Sequence, residues 1–397
     1  MAILQLRANA PFVLRIGYND HRSVLDALQG RECEGARVPI EVLVVEGHWA
    51  GRHRDLVDEA AAGRQLVIDY RVDQWTLGDG ASALPAGRSS AFSLEEIEKG
   101  AKGVVREALA AQERTIWTVA PGCHIDDIRG VAWATTLRLL DETIEQTGRV
   151  PVARLVGTPA ALATQESASI IAEALHERHV ERLMLTVGPI GDDRAGENLL
   201  RLVRALSTAG IGIHLTHQGA IGLAALAMGA QSFDAGILGR NEKFDYDLQR
   251  ERLQSGGGGR ARKPRGYAAP LLSSIPNEIL TKLFQLKAVR GALECDEPCC
   301  GTRLDGAVLH PVTHFVFCRC AQVRSVLDMP VEMRLGQVET LYGQAGTIYS
   351  AIRGVRKSDR HALESPDLEA VATEMAAVQG AGRQLRQVVE NAHWAAV

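Results

Sequence analysis

Short β-rich runs, most of them apolar without polar alternation, recur along the chain, each followed by a stretch of helical periodicity. Eight such runs fall at residues 12–16, 40–45, 66–68, 115–119, 153–156, 183–187, 211–215 and 232–235. A strand that is apolar on both faces is one covered on both sides, and strand–helix alternation is the pattern of a parallel sheet. Eight strands with crossover helices predict an α/β fold, a (β/α)8 barrel, although a doubly wound open sheet uses the same alternation. The helices carry their own punctuation: Ser93-Leu94-Glu95-Glu96 is a capping box opening an amphipathic stretch to about residue 112. From about residue 276 the pattern turns helical, is interrupted by a Cys/His-rich turn, and resumes to the C-terminus. The expected division is a barrel over 1–285 and a metal-binding turn with C-terminal helices over 286–397.

Composition narrows the class. With 397 residues, 46% hydrophobic and 23% charged, the chain has the globular average and enough length for one large barrel with an appendage. No apolar run approaches the roughly 18 residues of a membrane span, and the first residues lack the basic start and apolar core of an export signal. A cytoplasmic protein without a membrane partner is expected. The net charge of −4 excludes the strongly basic footprint of a dedicated nucleic-acid binder, so any such contact needs a local patch. One candidate exists after the eighth strand, where a glycine-rich tract carries Arg260, Arg262, Lys263 and Arg265 and no acid. It could grip phosphates over the barrel mouth or be a solvated surface loop.

Polar residues gather just past the strand ends: Asp20, Glu46, Asp69, His124 with Asp126 and Asp127, Gly188, His214 with His217, and Asp234. In a parallel barrel these positions share one mouth, where catalytic residues collect. Any single strand-end Asp could instead cap the next helix.

Five of the seven cysteines, Cys295, Cys299, Cys300, Cys318 and Cys320, crowd into 26 residues with His310 and His314. In a reducing compartment that pattern reads as metal binding rather than disulfides. Cys295, Cys299, Cys300 and His314 would supply the four ligands of a closed structural Zn2+ site. Cys318 lies one helical turn beyond His314 and could replace one of the adjacent pair Cys299 and Cys300, with His310 a weaker substitute.

Two segments resemble the tRNA-guanine transglycosylase superfamily, which includes relatives that insert deazaguanine bases into DNA. Phe233-Asp234, followed by Gly239-Arg240-Asn241, resembles the segment that supplies its nucleophilic aspartate. Cys295-Asp296-Glu297-Pro298-Cys299-Cys300 with Thr313-His314 looks like its zinc turn. The resemblance spans roughly residues 60–330 and implies base exchange on a nucleic acid, tRNA or DNA, with a small purine or deazapurine base entering. It assigns Asp234 as nucleophile, Asp69 as acid/base group, Gly157 and Gly188 as substrate-binding glycines and Arg240 as a phosphate contact. The chemistry is coherent, since a carboxylate can hold a sugar at its anomeric carbon while one base leaves and another enters. Two positions depart from that pattern: Ala120-Pro121-Gly122-Cys123-His124 stands where a base-reading aspartate belongs, and Val156 where a glutamine belongs. The superfamily also implies a homodimer or a heterodimer with an inactive half. Two other readings remain: a non-catalytic partner subunit of this fold, and an unrelated barrel lyase or phosphosugar enzyme with Gly219-Ala220-Ile221-Gly222 as its phosphate turn.

Overall fold

A computed structural model describes residues 10–17, 21–33, 38–47, 63–76, 92–113, 115–190, 193–219, 221–237, 244–247, 264–295 and 306–354, with positions 58, 250, 251, 297 and 299. The first eight strands are β1 Phe12–Ile16, β2 Val42–Glu46, β3 Gln65–Asp69, β4 His124–Ile125, β5 Ala153–Gly157, β6 Arg182–Val187, β7 Gly212–Leu215 and β8 Ser232–Ala235. They form one parallel sheet in the order β3-β2-β1-β8-β7-β6-β5-β4. Because β1 pairs with both β2 and β8, the sheet curls so that β3 and β4 face each other. A hydrogen bond from Ile116 N to Leu66 O, 3.0 Å, spans that seam. The expected barrel is therefore the observed architecture.

The fourth strand departs from expectation. Residues 115–119 meet the chain just before β5 through a bridge between Val119 and Val152, and the β4–β5 ladder itself begins at His124. Pro121 offers no N–H to a ladder. Gly122 lies so close to β5 that a Cβ there would stand 2.3 Å from Arg154 O. The chain is pressed inward at this point instead of running straight.

Helices wrap the outside. The capping box forms as expected, Ser93 and Glu96 each bonding the other's backbone, ahead of the helices Leu94–Lys99 and Ala101–Ala111. Beyond the barrel, β9 Arg265–Ala268 and β10 Ser273–Pro276 make an antiparallel hairpin. Helices Asn277–Gln285, Pro311–Leu327 and Arg334–Gly354 follow. The Glu32 carboxylate accepts from Val312 N and Thr313 N, 3.1 and 2.6 Å, capping the helix Pro311–Leu327. Phe315 from that helix packs edge-on to Phe12 of β1. One hydrophobic core runs unbroken from the barrel wall into these helices. No helix among the described residues is long and apolar enough to cross a membrane.

Strand alternation divides the lumen into two storeys. At the N-terminal end it is packed by Val13, Val42, Val44, Val67, Val119, Val152 and Met184. One or two residues further along the same strands the inward positions are Arg15, Glu46, Asp69, Arg154, Thr186 and Asp234, all buried.

Candidate active site and metal centre

Arg15, inward-facing on β1, lies at the centre of the upper storey. Its Nε and Nη2 donate to the two oxygens of Asp234 at 2.7 and 2.8 Å, and its Nη1 lies 3.0 Å from Asp69. Arg154 grips the other side of Asp69 at 2.9 and 3.2 Å and reaches Thr186 at 2.7 Å. Towards the rim, Arg71 holds Asp73 at 2.8 Å and Glu46 at 3.0 Å. Burial pushes both lumen aspartates up, but the guanidiniums outweigh it: Arg15, with a hydrogen bond from His214, holds Asp234 well below the usual carboxylate range, and Arg154 and Arg15 do the same for Asp69.

His217 closes this network from above. It is buried, sits in left-handed backbone at φ 57°, and donates its N–H to Asp234 at 3.0 Å. Its Nε2 is 3.2 Å from Arg71 Nη1 and 3.9 Å from Glu46. Burial first, then the nearby Arg15 and Arg71, hold its pKa well below the usual histidine value, so the ring is neutral. His124 on β4 stacks flat on Tyr246, centroids 3.7 Å apart, with Phe244 alongside. Burial lowers its pKa too, and its Nε2 is buried without a hydrogen-bond partner among the described residues.

The positions expected to handle a base have other work here. A Cβ on Gly157 would stand 2.2 Å from Ile125 O, and one on Gly188 2.2 Å from Phe244 O, so both glycines admit another stretch of backbone. Arg265 donates to Ser274 O at 2.6 Å and ties the β9–β10 hairpin. Arg240, Arg260, Arg262 and Lys263 lie outside the described residues. Gly222 is pressed against the Phe233 ring, and its N–H is taken by Gln218 O and Gly219 O, so the 219–222 turn does not offer that donor to a phosphate.

The second cluster sits between the hairpin and the helix Pro311–Leu327. Cys295, His314 and Cys318 bring one ligand atom each within 4.8 Å of one another. Cys295 Sγ is 3.6 Å from Cys318 Sγ, Cys318 Sγ is 3.8 Å from His314 Nδ1, and Cys299 Sγ is 3.5 Å from that same nitrogen. A tetrahedral zinc with bonds of about 2.3 Å to sulfur and about 2.0 Å to nitrogen has edges of about 3.8 Å between sulfurs and about 3.5 Å from sulfur to nitrogen. The donor chemistry and these separations fit such an ion. His314 Nε2 lies 2.9 Å from Tyr267 O, which leaves Nδ1 as the ligand and supplies the carbonyl that commonly orients a metal-bound imidazole. Cys318 takes the place the sequence left open between itself, His310 and the adjacent pair; Cys300 lies outside the described residues.

No family model and no curated protein matches the sequence. Among solved structures, the chain is similar to the YdjI aldolase from Escherichia coli K12, at 12% identity and TM-score 0.34, over 79% of this chain and 91% of that one. It is also similar to a proposed fructose-1,6-biphosphate aldolase from Coccidioides immitis, at 12% identity and TM-score 0.33, over 64% and 81%. The base-exchange expectation is corrected on the geometry of its two carboxylates. The carboxylate expected to attack a sugar, Asp234, is buried, chelated by Arg15 and bonded to His214 and His217, while Asp69 is locked between two guanidiniums.

Proposed function

We propose that the chain is a barrel enzyme of the lyase or phosphosugar type that moves protons at the C-terminal rim, with His217 and His124 as its proton-handling groups. The state of His217 carries this reading: a neutral, buried imidazole in left-handed backbone, set between the Arg71 guanidinium and the Glu46 carboxylate. An imidazole so placed can take or give a proton, and non-glycine residues held at positive φ cluster at functional sites. His124 would contribute its unpartnered Nε2.

Proton exchange in D2O tests this directly. Phosphosugars and hydroxy ketones incubated with the full chain are expected to gain deuterium beside the carbonyl, read by NMR. In His217→Asn, which keeps a residue tolerant of left-handed backbone, the rate is expected to fall at least about 100-fold. Absence of exchange across the panel would sink the reading.

We further propose that Cys295, Cys299, His314 and Cys318 take Zn2+ in a structural role, holding the 295–299 turn against the helix Pro311–Leu327. The kinship with the transglycosylase superfamily is kept only as a proposal about ancestry and the metal turn.

A further inference from the structure

At the opposite, N-terminal end of the barrel, three polar side chains line up from a cavity into the lumen. Ser232 opens β8, and its Oγ lies 2.8 Å from His214 Nδ1; His214 Nε2 lies 3.0 Å from Asp234 Oδ2. All three are buried, and Ser232 and His214 face each other in register across β7 and β8. The hydrogen-bond direction is settled by chemistry. Asp234 is held ionised by Arg15 and can only accept, so His214 Nε2 carries the proton and its Nδ1 lone pair accepts from the Ser232 hydroxyl. That is the polarity of a nucleophile, a base and an orienting carboxylate.

The cavity that Ser232 and His214 line has a volume of about 20 Å3 and is partly open. Its wall includes Val13, Val42, Gln65, Trp117 and Val152. Two polar atoms on this wall, Trp117 Nε1 and Gln65 Oε1, are buried and have no hydrogen-bond partner among the described residues. The Trp117 ring stands edge-on to His214, centroids 5.4 Å apart. A buried donor left unpaired is costly, and its position on the wall points to a ligand oxygen.

We infer that this end of the barrel is a second active site, in which Ser232, His214 and Asp234 transfer a short acyl group of acetyl size from an ester to water. Ser232 Oγ attacks the ester carbonyl carbon as His214 Nδ1 takes the hydroxyl proton. The Oγ–carbon bond forms, the bond from carbon to the alcohol oxygen breaks, and His214 gives its proton to the departing alkoxide. Water then attacks the Ser232 ester, His214 accepts its proton and returns it to Oγ, and the carboxylic acid leaves. Trp117 Nε1–H is the donor for the oxyanion, and the small, partly open cavity limits the acyl chain. This site is independent of the rim chemistry.

The test uses the full chain and p-nitrophenyl acetate. A burst of p-nitrophenolate of about one equivalent is expected, with the acetyl group found on Ser232 by peptide mass mapping after acid quench. Ser232→Ala should carry no adduct on that peptide, and His214→Gln and Trp117→Phe should acylate about 100-fold more slowly. Circular dichroism confirms that each variant is folded; if Ser232→Ala is not, mapping on the unmodified chain together with Trp117→Phe decides. No acetyl on Ser232, or an unchanged rate in Trp117→Phe, overturns the proposal.

Discussion

The lumen network and the Cys/His cluster are both buried and polar, yet they satisfy themselves differently. In the lumen three guanidiniums, Arg15, Arg71 and Arg154, face four carboxylates, Glu46, Asp69, Asp73 and Asp234. Every charge there meets its opposite within the chain. The quartet of Cys295, Cys299, His314 and Cys318 is made of lone-pair donors. Its Cys295 neighbour and burial push the Cys318 thiol far up, so thiolates are favoured there only when a cation joins them. One cluster is charge-paired by the chain itself; the other has a donor set that could hold an ion.

The comparison can be broken at its stronger half first. Arg15→Met removes the cation shared by Asp69 and Asp234, and it should destabilise the chain by about 3–5 kcal/mol in urea unfolding, the usual cost of leaving buried charge uncompensated. A loss below about 1 kcal/mol would mean that Arg154 and His214 suffice. Next, stripping metal with a chelator should lower stability by about 2.7–4 kcal/mol, the linkage expected at 100 to 1,000 times the dissociation constant. Elemental analysis of the untreated protein should find about one zinc per chain, and Cys318→Ser should abolish both the zinc and the chelator effect. The smallest expected effect is on pH. Asp69 and Asp234 have depressed folded-state pKa values, so their stabilisation is full above the unfolded carboxylate value of about 4 and is lost as pH falls below it. Stability should drop by up to about 1.4 kcal/mol per pH unit per group there, and in Asp69→Asn the slope should flatten.

The two clusters also differ in how far the sequence discloses them. The Cys/His spacing is local, so candidate ligands Cys295, Cys299 and His314 could be picked out directly; only the choice of Cys318 needed the third dimension. The strands were legible because wall strands are apolar on both faces, and the fourth failed where Pro121 and Gly122 bend the chain. The lumen network was opaque. Arg15 in Phe12-Val13-Leu14-Arg15-Ile16 reads as a lone polar residue, because its partners Glu46, Asp69 and Asp234 sit on three other strands. Asp69 and Asp234 stood out as strand-end acids, and the resemblance gave them a role in base exchange; the ion pairs that hold them cannot be read from the sequence. His214 and Ser232 sit beside each other only because parallel strands in register place them so.

That 219-residue span between Arg15 and Asp234 sets a clock during synthesis. At roughly 5–20 residues per second, a ribosome needs on the order of 10 to 45 seconds between making the two. Glu46 and Asp69 are made early in that interval, so Arg15 can meet two of its counter-charges on the growing wall while Asp234, the third, arrives only with the eighth strand. Closing the ring therefore completes a charge network that the first three strands have already begun.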